Sequence, residues 1–217
     1  MRKAMILQTI LLVCGISLIG YAVRLHSSRS LPKVDFSSDT YIRNQVYLLL
    51  KREVGSCSSI KVISASGKRY VLSAAHCANL ADKGIIAGTT EQGTVVGLQI
   101  LEVDVKSDLM LLSSPDQTGG IPIAADVQIH EKIKTLTHGA GHVTYRTDGE
   151  VLETLPVTVN TGRVEVVTMT SALVVPGSSG GAATDLSGAL VGVVSLCDGV
   201  FGGLIPLSEI NTLMAGR

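Results

Sequence analysis

The chain holds a serine flanked by glycines, and a histidine and an aspartate that could activate it lie upstream. The serine belongs to the run Gly-Ser-Ser-Gly-Gly at residues 177–181, the histidine is His76, and the aspartate is Asp108. A serine hydroxyl is a weak nucleophile at neutral pH unless a neighbouring base removes its proton as it attacks. Imidazole suits that role because its ordinary pKa is about 6.5, and a carboxylate can fix its tautomer and stabilise the imidazolium. The three segments therefore predict nucleophilic catalysis by a serine.

These segments also resemble the three catalytic motifs of the chymotrypsin-like, or trypsin-fold, serine proteases. Residues 72–77 are similar to the family's histidine motif, residues 107–112 to its aspartate motif, and residues 177–181 to its nucleophile motif. They occur in the family's order of His, Asp and Ser. Their short intervals are similar to those of compact bacterial HtrA (DegP-like) enzymes and virus-encoded relatives. The resemblance covers about residues 54–210 and implies a serine endopeptidase that forms an acyl-enzyme.

The resemblance implies a role for each catalytic side chain. His76 is the general base, and Asp108 orients its ring. Ser179 stands directly before two glycines, as the family's nucleophile does, and is preferred to Ser178. Asp104 is a competing carboxylate nearby, but Asp108 heads the Leu-Met-Leu-Leu segment that follows the family's aspartate.

Two further expectations concern the residues around Ser179. By the same resemblance, the N–H groups of Gly177 and Ser179 form the oxyanion hole. Digestive members of the family carry an aspartate where this chain has Ser178, and a new N-terminal ammonium pairs with it on activation. The chain lacks that acid and an Ile-Val-Gly-Gly start, which predicts activity without cleavage near Lys33 or Arg52.

The resemblance also places the substrate-binding residues. They are Leu173, Ser195, Leu196, Cys197 and Gly203. Leu173 falls where trypsins carry the acid that binds Lys or Arg, so we expect a small or medium apolar residue on the amino side of the cleaved bond (P1). Asp198 is nearby in the sequence, and the alternative is that its negative charge favours a basic P1 residue. Residues 195–197 are expected to pair with the substrate backbone as a β-strand.

Two of the four cysteines bracket a hairpin predicted around Ala65-Ser66-Gly67-Lys68. In the family, a cysteine just after the histidine often pairs with one upstream, and this implies a disulfide between Cys57 and Cys77. The alternative is two buried core thiols. A disulfide indicates an oxidising compartment outside the cytosol.

The amino terminus differs in composition from the rest of the chain. Residues 4–23 are almost entirely apolar and follow the basic start Met-Arg-Lys. A helix of about 20 residues spans a bilayer core, so this segment predicts a membrane anchor, with a cleaved signal peptide as the alternative. Residues 24–39 indicate a linker. We expect the protease domain to be tethered outside the cytosol or exported.

The remaining chain, residues 40–217, has the composition of an all-β domain. It contains no tryptophan and many β-branched residues, and the chain has 23 glycines to form turns. With the resemblance, this predicts two six-stranded antiparallel β-barrels with short helices, the first over about 54–115 and the second over about 122–206. Apolar spacing predicts helices over 40–53 and 207–215. Strands are predicted at 60–63, 70–73, 84–87, 94–103, 109–113, 132–137, 149–161, 164–168, 188–195 and 201–205.

Other functions fit the sequence less well. A formal net charge of zero argues against nucleic acid as a partner. His138 and His142 have a metal-ligand spacing, but they lie in a glycine-rich loop with no third ligand, and no cofactor or metal is expected. An α/β-hydrolase esterase would need the order Ser, Asp, His. The main alternative is a catalytically silent protein that keeps the trypsin fold and binds peptides; the oligomeric state is left open.

Overall fold

The structure is a computed structural model that describes residues 40–51, 53–139, 145–159, 164–197 and 201–217. The predicted membrane or signal segment, residues 1–23, and the linker, residues 24–39, lie outside the described residues. Among the residues described, no helix is both long enough and apolar enough to cross a membrane.

Six strands close into the first barrel in the order β1-β4-β5-β6-β3-β2, because β1 pairs with both β4 and β2. Its neighbouring strands are antiparallel, and the short strand β7 adds to β2 in parallel. The strands are β1 Val46–Lys51, β2 Gly55–Ile63, β3 Arg69–Ala74, β4 Ile85–Thr89, β5 Val95–Asp104, β6 Leu109–Ser113 and β7 Ile121–Pro122.

The second barrel is also closed and antiparallel, in the order β10-β13-β12-β11-β8-β9. Its strands are β8 Lys132–Thr137, β9 Tyr145–Thr158, β10 Val164–Thr170, β11 Ala182–Thr184, β12 Leu190–Cys197 and β13 Gly202–Pro206. The predicted fold of two six-stranded antiparallel barrels is confirmed. Each predicted strand has a counterpart, whereas β1, β7 and β11 have none among the predictions.

The helix predicted over residues 40–53 is wrong. Helix α1 covers only Thr40–Arg43, and the residues from Val46 to Lys51 form β1 instead. Val46 packs into the core shared by the two barrels, while Tyr47 and Leu49 pack inside the first barrel. A strand buried on both faces has a continuous apolar run, which periodicity alone does not distinguish from a helix.

Within the described ranges, two further helices follow strands β3 and β13. A 3₁₀ helix at Ala75–Leu80 follows β3, and helix α2 at Leu207–Met214 closes the chain. Helix α2 buries Leu207, Ile210, Leu213 and Met214, a spacing that places them on one helical face. This face packs on an apolar core built from residues of both barrels. The barrels therefore share a hydrophobic interface in addition to the separate core inside each one.

Candidate active site

Strand pairing in the first barrel brings His76 and Asp108 together. Strands β3 and β6 are antiparallel, with Ala74 opposite Leu109, so the residues after β3 lie beside those before β6. The His76 backbone N–H donates to Asp108 Oδ1 at 3.0 Å, and His76 Nδ1 lies 2.9 Å from Oδ2. A proton on Nδ1 satisfies the carboxylate and leaves Nε2 of the neutral ring as the basic nitrogen. The carboxylate therefore fixes both the position and the tautomer of the imidazole.

Asp108 is buried, and a residue of the second barrel helps to keep it ionised. Burial is the largest influence and raises the pKa of Asp108, but the hydrogen bonds and charge of His76 and a hydrogen bond from Ser195 outweigh it and lower the pKa below 3.8. The Ser195 hydroxyl donates to Asp108 Oδ2 at 2.6 Å. The sequence prediction assigned Ser195 to the substrate-binding surface and did not include this contact of its side chain with Asp108.

The competing carboxylate, Asp104, has a local structural role. It accepts hydrogen bonds from the Ser107 hydroxyl at 2.6 Å and from the Lys106 backbone N–H at 2.9 Å. Both partners belong to the turn between β5 and β6. Asp104 therefore closes this turn, while Asp108 contacts His76.

Ser179 lies in a loop of the second barrel, residues 175–181, which we call the nucleophile loop after its predicted role. Its hydroxyl donates to the Ser195 carbonyl at 3.2 Å, so Ser195 contacts both Ser179 and Asp108. A hydroxyl has one proton to donate. For His76 to act as the base, the Ser179 hydroxyl must therefore turn that proton from the carbonyl toward the imidazole.

The residues before Ser179 form a tight turn. The Ser178 N–H donates to the Val175 carbonyl at 3.0 Å, and Gly177 has a φ of +89°. Residues 175–178 therefore have the features of a type II turn, with Pro176 at the second position and Gly177, of positive φ, at the third. Among the described residues, no acceptor is found for the backbone N–H of Gly177 or of Ser179. The two N–H groups predicted to form an oxyanion hole are thus available to a ligand.

The first glycine after Ser179 allows the loop to pack closely against the first barrel. A Cβ at Gly180 would lie 2.0 Å from the Ser58 carbonyl oxygen and 2.3 Å from Ser73 Oγ. Gly180 also has a φ of +86°, which side chains rarely adopt. Only glycine fits this position, which explains the first glycine of the Gly-Gly pair.

The predicted substrate-binding residues come from two parts of the second barrel. On adjacent strands, Leu196 faces Gly203 and Cys197 faces Gly202. A Cβ on Gly202 would lie 3.0 Å from the Ala172 carbonyl oxygen, which places the segment containing Leu173 beside these strands. The Leu173 carbonyl accepts a hydrogen bond from the Thr147 hydroxyl at 2.8 Å. Asp198 lies outside the described residues.

The predicted disulfide between Cys57 and Cys77 is confirmed, and it lies beside the site because Cys77 directly follows His76. Within the described ranges, Cys57, His76 and Cys77 form the one cluster of possible metal ligands. Because its two sulfurs are bonded to each other, the cluster offers no thiolate to a metal. His138 is buried, with Nε2 at 3.5 Å from the Val46 carbonyl, and His142 lies outside the described residues.

Comparisons with known proteins show the family and the fold of the chain. A family model for the trypsin-like peptidase domain matches residues 58–193. The inactive form of the Rv3671c protease of M. tuberculosis is similar in structure, with a TM-score of 0.67 and 18% identity over 87% of this chain and 100% of that one. Its active form has a TM-score of 0.67 and 19% identity over 87% and 91% of the respective chains. At these identities the two structures show a shared fold. No curated protein sequence matches the chain.

Proposed function

The chain belongs to the trypsin-like peptidase family and is a serine endopeptidase, and we propose that it cleaves peptide bonds through a triad of His76, Asp108 and Ser179. One observation carries this proposal: Ser195 bonds to Asp108 through its side chain and to Ser179 through its carbonyl. Ser195 thereby links the nucleophile to the Asp108–His76 pair. The 48% exposure of the His76 side chain gives a substrate access to the base.

The proposed reaction has two stages. Ser179 Oγ attacks the peptide carbonyl while Nε2 of His76 takes the hydroxyl proton, and the imidazolium then gives it to the leaving amine. The resulting acyl-enzyme is hydrolysed by a water that His76 deprotonates. The N–H groups of Gly177 and Ser179 stabilise the oxyanion at each stage. Asp108 stays ionised throughout and stabilises the imidazolium.

Substrate binding turns the hydroxyl of Ser179 from the Ser195 carbonyl toward His76. In the free enzyme the Ser195 carbonyl accepts a hydrogen bond from the Ser179 hydroxyl at 3.2 Å. A substrate strand pairing with residues 195–197 presents a backbone N–H to the same carbonyl. This N–H displaces the hydroxyl, which is then free to donate to His76.

The substrate is a protein or peptide, and we propose a small or medium apolar P1 residue. Leu173 supports this preference because it places no charge at the position where trypsins bind Lys or Arg. The proposed binding surface consists of Leu173, Ser195, Leu196, Cys197 and Gly203. We also propose that residues 40–217 form the protease domain and that residues 1–23 tether it to a membrane or direct its export. The disulfide supports an oxidising location outside the cytosol.

A fluorophosphonate probe tests the triad, because it phosphonylates an activated serine. We expect the wild-type protein to be labelled and Ser179→Ala to lose both labelling and peptidase activity. Ser187→Ala is the matched control, since Ser187 is an exposed serine in the turn between β11 and β12. Labelling that survives in Ser179→Ala would reject this nucleophile. A wild-type protein that is never labelled but binds peptides would favour the silent binding protein instead.

A further inference from the structure

Ser58 of β2 contacts the nucleophile loop at two points on either side of Ser178. Its backbone N–H donates to the Ser179 carbonyl at 2.7 Å, and its hydroxyl donates to the Gly177 carbonyl at 3.0 Å. Ser58 is fully buried, so water does not replace these contacts. The first contact is available to any residue except proline, whereas the second requires the serine hydroxyl.

Two other buried groups fix the orientation of Ser58. The His138 backbone N–H donates to Ser58 Oγ at 2.8 Å, and the Ser73 hydroxyl donates to the Ser58 carbonyl at 2.8 Å. All the polar groups of Ser58 are therefore bonded. With its lone pair engaged by His138, the Ser58 hydroxyl has its proton directed to Gly177, since a hydroxyl donates one hydrogen.

The bond from the Ser58 hydroxyl completes the restraint of one peptide unit. The peptide between Gly177 and Ser178 has its N–H bonded to the Val175 carbonyl at 3.0 Å and its carbonyl bonded to Ser58 at 3.0 Å. A peptide unit is planar, so holding both ends fixes its plane. It lies directly between the two peptide units that carry the N–H groups of Gly177 and Ser179.

We propose that Ser58 is a positioning residue for the oxyanion hole. By holding the central peptide of the nucleophile loop, its hydroxyl keeps the N–H groups of Gly177 and Ser179 aimed at the same point. Ser58 lies behind the loop and does not touch the substrate. A neutral hydroxyl of the first barrel thus stabilises the loop. This inference rests on the proposed function of Ser179 and its neighbours.

The neighbouring residue provides a matched control. Ser59 is also a fully buried serine of β2, but among the described residues its hydroxyl has no hydrogen-bond partner. Ser58→Ala and Ser59→Ala remove the same atom from adjacent buried positions. Only the first removes a contact to the nucleophile loop.

The decisive measurement compares two inhibitors in the full chain. A peptidyl aldehyde carries the P1 residue that the wild-type enzyme prefers. Ser179 Oγ forms a bond to its carbonyl carbon while Nε2 of His76 takes the hydroxyl proton, and the carbonyl oxygen becomes an oxyanion that lies in the hole. The matching peptidyl alcohol fills the same subsites without forming an oxyanion. We expect Ser58→Ala to lower kcat/KM and aldehyde affinity together by about 10- to 100-fold, below the effect of deleting a donor itself. Alcohol affinity should stay within about twofold, and Ser59→Ala should match wild type in all three values.

Several outcomes would overturn the inference. One is an equal loss of aldehyde and alcohol affinity in Ser58→Ala, since this would indicate general damage to the binding surface. Another is the same change in Ser59→Ala. If Ser58→Ala does not fold, Ser58→Thr, which keeps the hydroxyl, must retain the wild-type ratio of aldehyde to alcohol affinity. A reduced ratio in the folded threonine variant rejects the inference. Failure of the proposed function is distinct, because the wild-type protein itself would then show no preference for the aldehyde.

Discussion

Ser195 and Asp108 are joined by a hydrogen bond of 2.6 Å that connects the two barrels. Asp108 precedes β6 of the first barrel, and Ser195 lies on β12 of the second. Both barrels therefore hold the acidic member of the proposed triad, because His76 of the first barrel and Ser195 of the second each bond to it. This contact makes the pKa of Asp108 a property of the assembled domain.

The first prediction concerns acid stability. Because folding lowers the pKa of Asp108, its carboxylate stabilises the protein above the ordinary pKa of 3.8, and this stabilisation is lost as the pH falls through the lower folded value. Ser195→Ala removes one of the bonds that lower this pKa. We expect a loss of about 1.5–3 kcal/mol in the free energy of unfolding at neutral pH and acid unfolding at a higher pH. Circular dichroism between pH 2 and 7 measures the midpoint.

Ser187→Ala is the control for this change. The Ser187 hydroxyl also donates to a carboxylate, Asp185 at 2.7 Å, but this serine is exposed. Water replaces such a contact, so the acid midpoint should match wild type. An unchanged midpoint in Ser195→Ala would show that the Ser195 hydroxyl does not stabilise the ionised Asp108.

The second prediction concerns the disulfide. Cys57 and Cys77 are 20 residues apart in sequence, and closing a loop of this size stabilises the fold by about 3 kcal/mol. Treatment with a dithiol reductant should lower Tm by roughly 6–12 °C, as measured by thermal unfolding. The double variant Cys57→Ala/Cys77→Ala should show the lower Tm with or without reductant. A reductant effect that persists in the double variant would assign it to other groups.

The third prediction isolates the close contact at Gly180. Gly180→Ala would place a methyl group 2.0 Å from the Ser58 carbonyl oxygen, in addition to the cost of a positive φ. Gly67→Ala has the same backbone cost, with a φ of +84°, but its new methyl group meets nothing within 4 Å. In denaturant titrations we expect a cost of about 1–2 kcal/mol for Gly67→Ala and at least about 3 kcal/mol for Gly180→Ala. Equal costs would show that the nucleophile loop can move away from the first barrel.

The fourth prediction tests the specificity surface. Leu173→Asp places a carboxylate where it can form a charge-assisted hydrogen bond with an arginine side chain at P1. The ratio of kcat/KM for Arg over Val at P1 should rise by at least about tenfold in a panel of peptide substrates. Leu186→Asp is the control, because Leu186 is exposed in the turn after β11. A strong Arg preference in the wild-type enzyme would contradict the apolar P1 residue and direct attention to Asp198.

Much of the fold follows from local patterns in the sequence. Strand β6 is an almost continuous apolar run and β8 has β-branched residues at every second position, and both patterns predict strands without a structure. The position of strand β1 is not visible in this way, because the apolar residues of its buried run also have helical spacing. Strand β11 has only three small residues and shows too little pattern to be recognised. In both cases pairing with neighbouring strands decides the conformation.

The proposed active site was likewise predictable from the sequence only in part. By itself, the sequence determined the candidates His76, Asp108 and Ser179, because a catalytic nucleophile, base and acid require particular residue types in recognisable local surroundings. It did not reveal the side-chain roles of Ser58 and Ser195, since buried serines are common and their hydroxyls acquire a function only from what they face. Those partners are distant in sequence and meet only when the barrels dock. The tertiary structure alone therefore decided which hydroxyl bonds to Asp108 and which one contacts the nucleophile loop.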